Sequence, residues 1–331
     1  MGDLDNEDRA ANNHALRRSE GRLLSSYSVP AWLADGAADP TAWCVNEVSP
    51  SENGVPEAVL LYHAFPVPAL LRPVLACWYT ASSDGPHRLV PDGCIDLVAV
   101  DDGSLWLCGP EKLGWDFELP RGLQATGVRF RPGAAPAILG VAASRLKNRR
   151  WRVVDVLGGG AVQRLIPAAQ SSLAHGRAPS AVLMDFVSEE MRATSDRGRQ
   201  ELQFADDVIN ALAVRPCANA AQLAESLGMN VRTLLRRANS SFGYGTSVLA
   251  RLLRLQRFLA ISSTSGCLEP ASGLGALAID AGYSDQAHLS RECRAISGRT
   301  PGQLLRVYVP SFPDMSDPFN TTQRFDVSMV A

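Results

Sequence analysis

The chain has 331 residues, 46% hydrophobic and 20% charged, with a formal net charge of −2. That length suits two domains at roughly 100–200 residues each, and the apolar fraction excludes a wholly disordered chain. The longest apolar stretches, such as Ala58–Phe65 and Ile95–Val100, fall well short of the ~20 residues that span a bilayer, so no membrane protein is expected.

Residues 1–55 are polar and rich in Asn, Asp, Ser and Pro, which predicts a largely flexible arm with at most a short helix near Ala10–Leu24. The first thirty residues mix both charge signs without an apolar run, unlike a secretion signal. Seven widely spaced cysteines without a C-x-x-C pair suit reduced thiols, so a cytoplasmic location is expected.

From residue 57 to 130 the pattern predicts strands over Ala58–Ala64, Val74–Thr80, Cys94–Val100, Leu105–Cys108, Trp115–Leu119 and Ala125–Phe130. Asp101-Asp102-Gly103-Ser104 reads as a hairpin turn. Short strands at this spacing predict a small barrel or sandwich. Beyond Arg131-Pro132-Gly133 the period changes to helical over Ala134–Leu139, Ala161–Ala174 and Ser180–Ala193. Those last two helices could pack on the strands or form a dimer face. Gly158-Gly159-Gly160 lacks the residues of a phosphate loop and reads as a flexible joint. The polar stretch from Thr194 to Arg199 reads as linker, and 205–305 is helix throughout, broken by Gly and Ser.

The expected architecture is therefore α+β in two domains: a β-rich barrel or sandwich with flanking helices, then an all-α domain. Its boundaries are an arm at 1–55, a sensor or dimerisation domain at 56–195, a linker at 196–204, the helical domain at 205–308 and a tail at 309–331.

Asp92, Cys94 and Asp96 alternate along one predicted strand, and period two puts them on one side. Facing a barrel interior, with His87 and Cys108 nearby, Asp92, Cys94, Asp96 and Arg129 make a candidate ligand-binding set. A metal site or a nucleophilic cysteine can be drawn from the same groups. Neither metal-ligand nor catalytic spacing is present, however, and a buried Cys is most often a small hydrophobe. The sequence thus predicts no enzyme, no cofactor and no metal. His63, alone in an apolar strand, reads as a core residue.

The charge is unevenly distributed. From Arg215 to Tyr308 there are eleven Arg, no Lys and five acids, a balance of +6, which leaves −8 elsewhere. A basic module joined to an acidic one is the footprint of a nucleic-acid binder with a separate second domain.

Within the basic part, Ala220–Ser241 has Leu223, Ala224 and Leu227 on one small apolar face, with Gly228 placed to end a helix in a left-handed conformation. Asn230 can cap the next helix. There Val231, Leu234, Leu235 and Ala238 are expected inside, with Arg232, Thr233, Arg236 and Arg237 outside. Gly275–Ile296 repeats the scheme with Leu277, Ala278 and Ala281, a turn at Gly282, a cap at Ser284 or Asp285, and Gln286, His288, Arg291 and Arg294 outward. Two helices crossing at small residues with a Gly turn form a helix-turn-helix, and Gln and Arg read adenine and guanine edges. Thr246–Ile261 joins the units as one long helix with Arg251, Arg254 and Arg257 at three-residue steps, a set suited to phosphate contact or to a solvated face.

Gly282-Tyr283-Ser284-Asp285-Gln286, Leu289-Ser290-Arg291 and Gly298-x-Thr300-Pro301 resemble the signature end of the AraC/XylS-family DNA-binding domain. Leu223-Ala224 to Gly228 and Arg254-Leu255 to Arg257 fit the rest of it. The resemblance implies a transcription regulator that places two recognition helices in successive major-groove segments of double-stranded DNA. Its implied contacts are Arg232, Thr233, Arg236, Arg237, Gln286, His288 and Arg291. Ala238, Leu289 and Cys293 stand where the family has bulkier residues, which predicts slimmer packing, and the loop Ser262–Gly273 is longer than usual. Val90–Leu97, Cys108-Gly109-Pro110 and Gly127–Ala134 are similar to the front domain of one AraC-like branch. A small-molecule effector, a second copy of the chain and, for an activator, RNA polymerase are the further partners implied. The alternatives are an enzyme or metal-binding protein built on the front barrel, and a helix-turn-helix module that binds protein instead of DNA.

Overall fold

The computed structural model describes residues 60–308 apart from 84, 176 and 265–272, together with two two-residue strands, β1 (Ser26–Tyr27) and β2 (Trp43–Cys44), which pair antiparallel. The expected helix near Ala10–Leu24, the tail 309–331 and most of the long loop before the second helix-turn-helix unit lie outside the described residues.

Short runs of β-branched, Leu and aromatic residues build the front region. Its strands are β3 (Leu60–Phe65), β4 (Leu75–Ser83), β5 (His87–Leu89), β6 (Ile95–Val100), β7 (Leu105–Cys108), β8 (Trp115–Phe117), β9 (Ala125–Phe130) and β10 (Arg150–Arg152). Six of them form one antiparallel sheet in the order β10-β7-β6-β9-β4-β3, while β5 and β8 pair separately. The predicted hairpin closes β6 onto β7, with Ala99 opposite Leu105. The sheet does not close into a barrel, because β10 and β3 are edges that do not pair with each other. Separate apolar clusters cover its two faces instead, so no interior is left for a barrel to enclose.

One face carries Leu75, Ile95, Leu97, Leu107, Val128 and Phe130. The other carries Cys77, Tyr79, Val98, Val100 and Ala125. A register shift between Leu75 and Cys77 lets β4 serve both faces. Helices α1 (Ala134–Leu139), α2 (Ala143–Leu146), α3 (Val153–Val156), α4 (Gly159–His175) and α5 (Pro179–Ala193) follow. Leu165, Ala169, Leu183, Phe186 and Val187 bury α4 and α5 in the first cluster, so these helices pack on the sheet. Gly159 and Gly160 open α4, where a flexible joint was expected, because the apolar face of that helix is anchored from Ala161 onward. His63, expected in the core, is exposed on the edge strand β3.

The second region is all helix: α6 (Asp196–Val214), α7 (Ala220–Ser226), α8 (Val231–Phe242), α9 (Thr246–Thr264), α10 (Gly273–Asp280), α11 (Gln286–Ser297) and α12 (Pro301–Tyr308). The expected linker at 196–204 is the first half of α6. Ser195 accepts from the Gly198 N–H as its cap, and Phe204, Ala205, Val208, Ile209 and Leu212 bury one face in the helical core. A polar stretch that can cap and begin a helix is hard to tell from a linker until its apolar face finds a partner.

The two regions meet along a tight seam. A Cβ on Gly133 would lie 2.6 Å from Ala205 Cβ, so the backbone before α1 approaches α6 closely. The buried Gln256 side chain on α9 donates to Pro91 O at 2.8 Å. Gly114 N donates to Ile296 O at 2.6 Å, and Arg88 Nε donates to Ser297 O at 3.3 Å. Tyr308 OH donates to Arg88 O at 3.4 Å. Replacing Gln256 by Leu keeps the volume but strands the Pro91 carbonyl in a buried seam. It should lower unfolding free energy by about 1–3 kcal/mol, read as a drop in denaturant midpoint; an unchanged midpoint would show that this hydrogen bond contributes nothing.

Candidate nucleic-acid interface

The helical region contains two helix-turn-helix units arranged on α9. In the first, Asn219 caps α7, accepting from the N–H groups of Ala221 and Gln222 at 3.0 Å each, while Gln222 Oε1 accepts from the Asn219 N–H at 3.0 Å. This reciprocal capping box is visible in the sequence as Asn-x-x-Gln but was not singled out there. Gly228 takes the turn at φ 61°, and Met229 N donates to Ala224 O at 2.9 Å. Asn230 then caps α8 through the Thr233 N–H at 2.8 Å.

The second unit repeats this geometry. Gly282 has φ 92°, Tyr283 N donates to Ala278 O at 2.8 Å, and Asp285 caps α11 by accepting from the His288 N–H at 2.6 Å. A side chain with a Cβ would be strained at either glycine, which is why both turns carry one.

Leu234, Ala238 and Phe242 of α8 are buried, as are Leu289, Cys293 and Ile296 of α11. The slim residues Ala238 and Cys293 are thus fully packed. The opposite faces expose Arg232, Arg236 and Asn239 on α8, and Gln286, Arg291 and Arg294 on α11. Arg232, Arg236, Arg291 and Arg294 form no ion pair among the described residues. Thr233 is half-buried. His288 is also half-buried, its Nδ1 3.1 Å from Ser284 Oγ and its ring edge-on to Tyr283 at 5.3 Å between centroids.

Two expectations for α8 are corrected. Arg237 does not point outward: its Nε lies 3.2 Å from Glu201 Oε2, its Nη2 donates to Gln200 O at 3.1 Å, and its guanidinium sits 4.0 Å from the Phe204 ring centre. The acid and the ring on α6 give it a better partner than solvent. Val231 and Leu235, expected inside, are 39% and 41% exposed.

The arginine run on α9 also turns inward. Arg251 Nε lies 2.5 Å from Glu292 Oε1 and Arg254 Nη2 lies 3.3 Å from Glu292 Oε2, so one carboxylate of α11 is clamped from two turns of α9. Arg254 also donates to Pro216 O at 3.0 Å and lies 5.6 Å from the Tyr283 ring centre. Arg257 Nη1 is 3.4 Å from Ala213 O. Sequence spacing alone does not reveal this clamp: the acid that draws Arg251 and Arg254 inward, Glu292, is remote in sequence.

The candidate ligand set in the front region forms an ion cluster. Arg129 Nε and Nη2 donate to Asp96 Oδ1 and Oδ2 at 3.0 and 2.9 Å, and its Nη1 lies 3.1 Å from Asp92 Oδ2. Tyr79 OH donates to Asp96 Oδ2 at 3.1 Å. The strand begins only at Ile95, so Asp92 lies in the preceding loop, where it accepts from the Cys94 N–H at 2.9 Å. The carboxylates and the guanidinium satisfy one another, and burial pushes the Cys94 thiol well up from its ordinary range and that of Cys108 up to about 12. Both are protonated at neutral pH and poor nucleophiles. Among the described residues no group of three or more His, Cys, Asp or Glu is placed to hold a metal ion.

Residues 223–306 match the family model of a helix-turn-helix domain, and residues 63–152 match that of a domain of unknown function (DUF6597). No curated protein matches the chain. Among solved structures, the chain is similar to ToxT from Vibrio cholerae in a form bound to an unsaturated fatty acid. The identity is 10% over 70% of this chain and 95% of that one, with a TM-score of 0.37. A second ToxT structure from Vibrio cholerae shares 11% identity over 70% of this chain and 98% of that one, with a TM-score of 0.36. Residues 223–306 thus form a helix-turn-helix domain. Among the described residues no helix is long and apolar enough to cross a membrane.

Two predictions follow from the caps and the clamp. Glu292→Gln removes the charge that two arginines share in a mostly buried site and should destabilise the fold by about 2–4 kcal/mol, read by denaturant unfolding. A loss below about 0.5 kcal/mol would make the clamp incidental. The Asp285 carboxyl is held below its ordinary range chiefly by the His288 N–H it accepts. A lowered folded value means that its contribution is present at neutral pH and fades only as pH falls through that lowered value. Hydrogen exchange of the His288 amide should therefore stay protected at about pH 4, where an ordinary Asp protonates; loss of protection there would contradict the cap.

Proposed function

We propose that the protein is a non-enzymatic, sequence-specific transcription regulator in which α8 and α11 enter successive major-groove segments on one side of a DNA duplex. The observation that carries this is the matched pair of N-capped helices on one central helix, each exposing guanidinium groups that form no ion pair among the described residues. Arg236, Gln286 and Arg291 read base edges, while Arg232 and Arg294 neutralise phosphate. Thr233 and His288 lie at the margin of the surface and orient those contacts. The helical DNA-reading unit begins with α6, and the front unit ends with α5.

The front unit supplies control, by an effector or by pairing with a second copy, and transmits it through the seam at Pro91, Arg88 and Gly114. Its Asp92, Asp96 and Arg129 cluster holds β6 and β9 in register beside that seam. The protein works in the cytoplasm, and as an activator it would also contact RNA polymerase.

Purified full-length protein titrated by anisotropy against DNA selected from a random duplex library tests this. Affinity should survive random competitor and fall steeply with salt as counterions are released. Arg291→Ala and Arg236→Ala should each weaken the selected site by about 1–3 kcal/mol and relax discrimination at one position. Equal losses on all sequences would make them phosphate contacts only. Binding no tighter than competitor across the whole library would defeat the proposal.

A further inference from the structure

The outward face of α8 is not wholly polar. Leu235 is 41% exposed and Val231 is 39% exposed. They are four residues apart on one helix, so their side chains are neighbours. Arg232 and Arg236 are exposed beside them, and Asn239, one turn beyond Leu235, is exposed too. Leu235 lies on the core side of that face, where Arg232 and Asn239, three and four residues away, are its neighbours, while Arg236, next to it in sequence, points away from it. Leu234, Ala238 and Phe242 fill the buried side of the helix; Val231 and Leu235, three residues before Leu234 and Ala238, sit at its margin, where part of each side chain stays open. The corresponding face of α11 carries Gln286, Ala287, Arg291, Arg294 and Ala295, with no large apolar side chain.

The major groove offers one apolar group, the C5-methyl of thymine. An apolar side chain on a helix that exposes two arginines has the charge to be drawn against a duplex and the surface to bury that methyl there. On the basis of the DNA-reading role proposed above, we propose that Leu235, supported by Val231, recognises a thymine methyl in the segment read by α8, so that the two recognition helices read by different chemistry. The first combines a large apolar contact with guanidinium contacts; the second exposes only the small Ala287 and Ala295 beside its Gln and Arg side chains. A protein partner for the same face would need a larger apolar area than two half-exposed side chains interrupted by arginines.

The test uses full-length protein and the duplex selected for tight binding from a random library. Each thymine in turn is replaced by deoxyuridine, which removes the methyl and keeps every hydrogen-bonding group. One or two replacements within one segment should weaken wild-type binding about three- to fivefold, the effect of losing one carbon of buried apolar surface. In Leu235→Ala the same replacements should change affinity less than 1.5-fold, while in Arg236→Ala the methyl effect should persist on a weaker baseline. Thermal unfolding of Leu235→Ala should fall only slightly below wild type, since the side chain is half-exposed. If no deoxyuridine replacement matters in wild type, or if Leu235→Ala retains the full methyl effect, the assignment is overturned. Failure to select any preferred duplex would instead overturn the DNA-reading role and the assignment with it.

Discussion

The carboxylate of Glu292 is the point on which the geometry of the helical region depends. It is largely buried on α11, and a charge in that position is tolerated only when opposite charges and hydrogen bonds replace water. Arg251 and Arg254 supply them from consecutive turns of α9. Because Arg254 also donates to Pro216 O and lies against Tyr283, the same guanidinium ties together α9, α11, the segment before α7 and the turn before α11. Rotation of α11 about its axis would break both ion pairs at once. The direction in which Gln286 and Arg291 face is therefore set by an interaction on the far side of the helix. On α8 the same job falls to packing, through Leu234, Ala238 and Phe242 in a core shared with α6 and α9.

The front region is joined to this unit at revealing places. Gly114 and Arg88 bond to the carbonyls of Ile296 and Ser297, which end α11, and Pro91 receives Gln256 from the middle of α9. The loop that carries Pro91 continues through Asp92, whose carboxylate is one of two held by Arg129 on β9. A continuous chain of named contacts thus runs from the centre of the sheet to the helix that orients both recognition helices. Such a chain supplies the mechanical link that the proposed control by the front unit requires.

Local chemistry was legible in the sequence. Gly228, Gly282 and Asn230 announce the turns and a cap because backbone strain and orphan N–H groups leave few residue types to choose from. Six strands were legible from short runs of Val, Leu and aromatic residues, and the hairpin at Gly103 from its Asp-Gly turn. Long-range pairing was not. Arg237 and Arg251 look like surface arginines in sequence, and their partners Glu201 and Glu292 are 36 and 41 residues away. An amphipathic pattern on α8 admits Leu234 or Leu235 as the inner leucine, and only the packed core decides. Whether six strands close into a barrel depends on what covers their two faces, and the helices α4 and α5 that cover one of them sit outside the strand pattern altogether. The strands β5 and β10, three residues each, carry charged residues and no apolar run, whereas the equally short β8 lies in the run Trp115–Leu119.

In the proposed mode of binding the two recognition helices act as one rigid reading surface. Hydroxyl-radical footprinting of full-length protein on its selected duplex tests it most directly. Two protected segments on one face of the DNA, centred about one helical turn or 10–10.5 bp apart, are the predicted result. A single protected segment, or cleavage no different from competitor DNA, would contradict it.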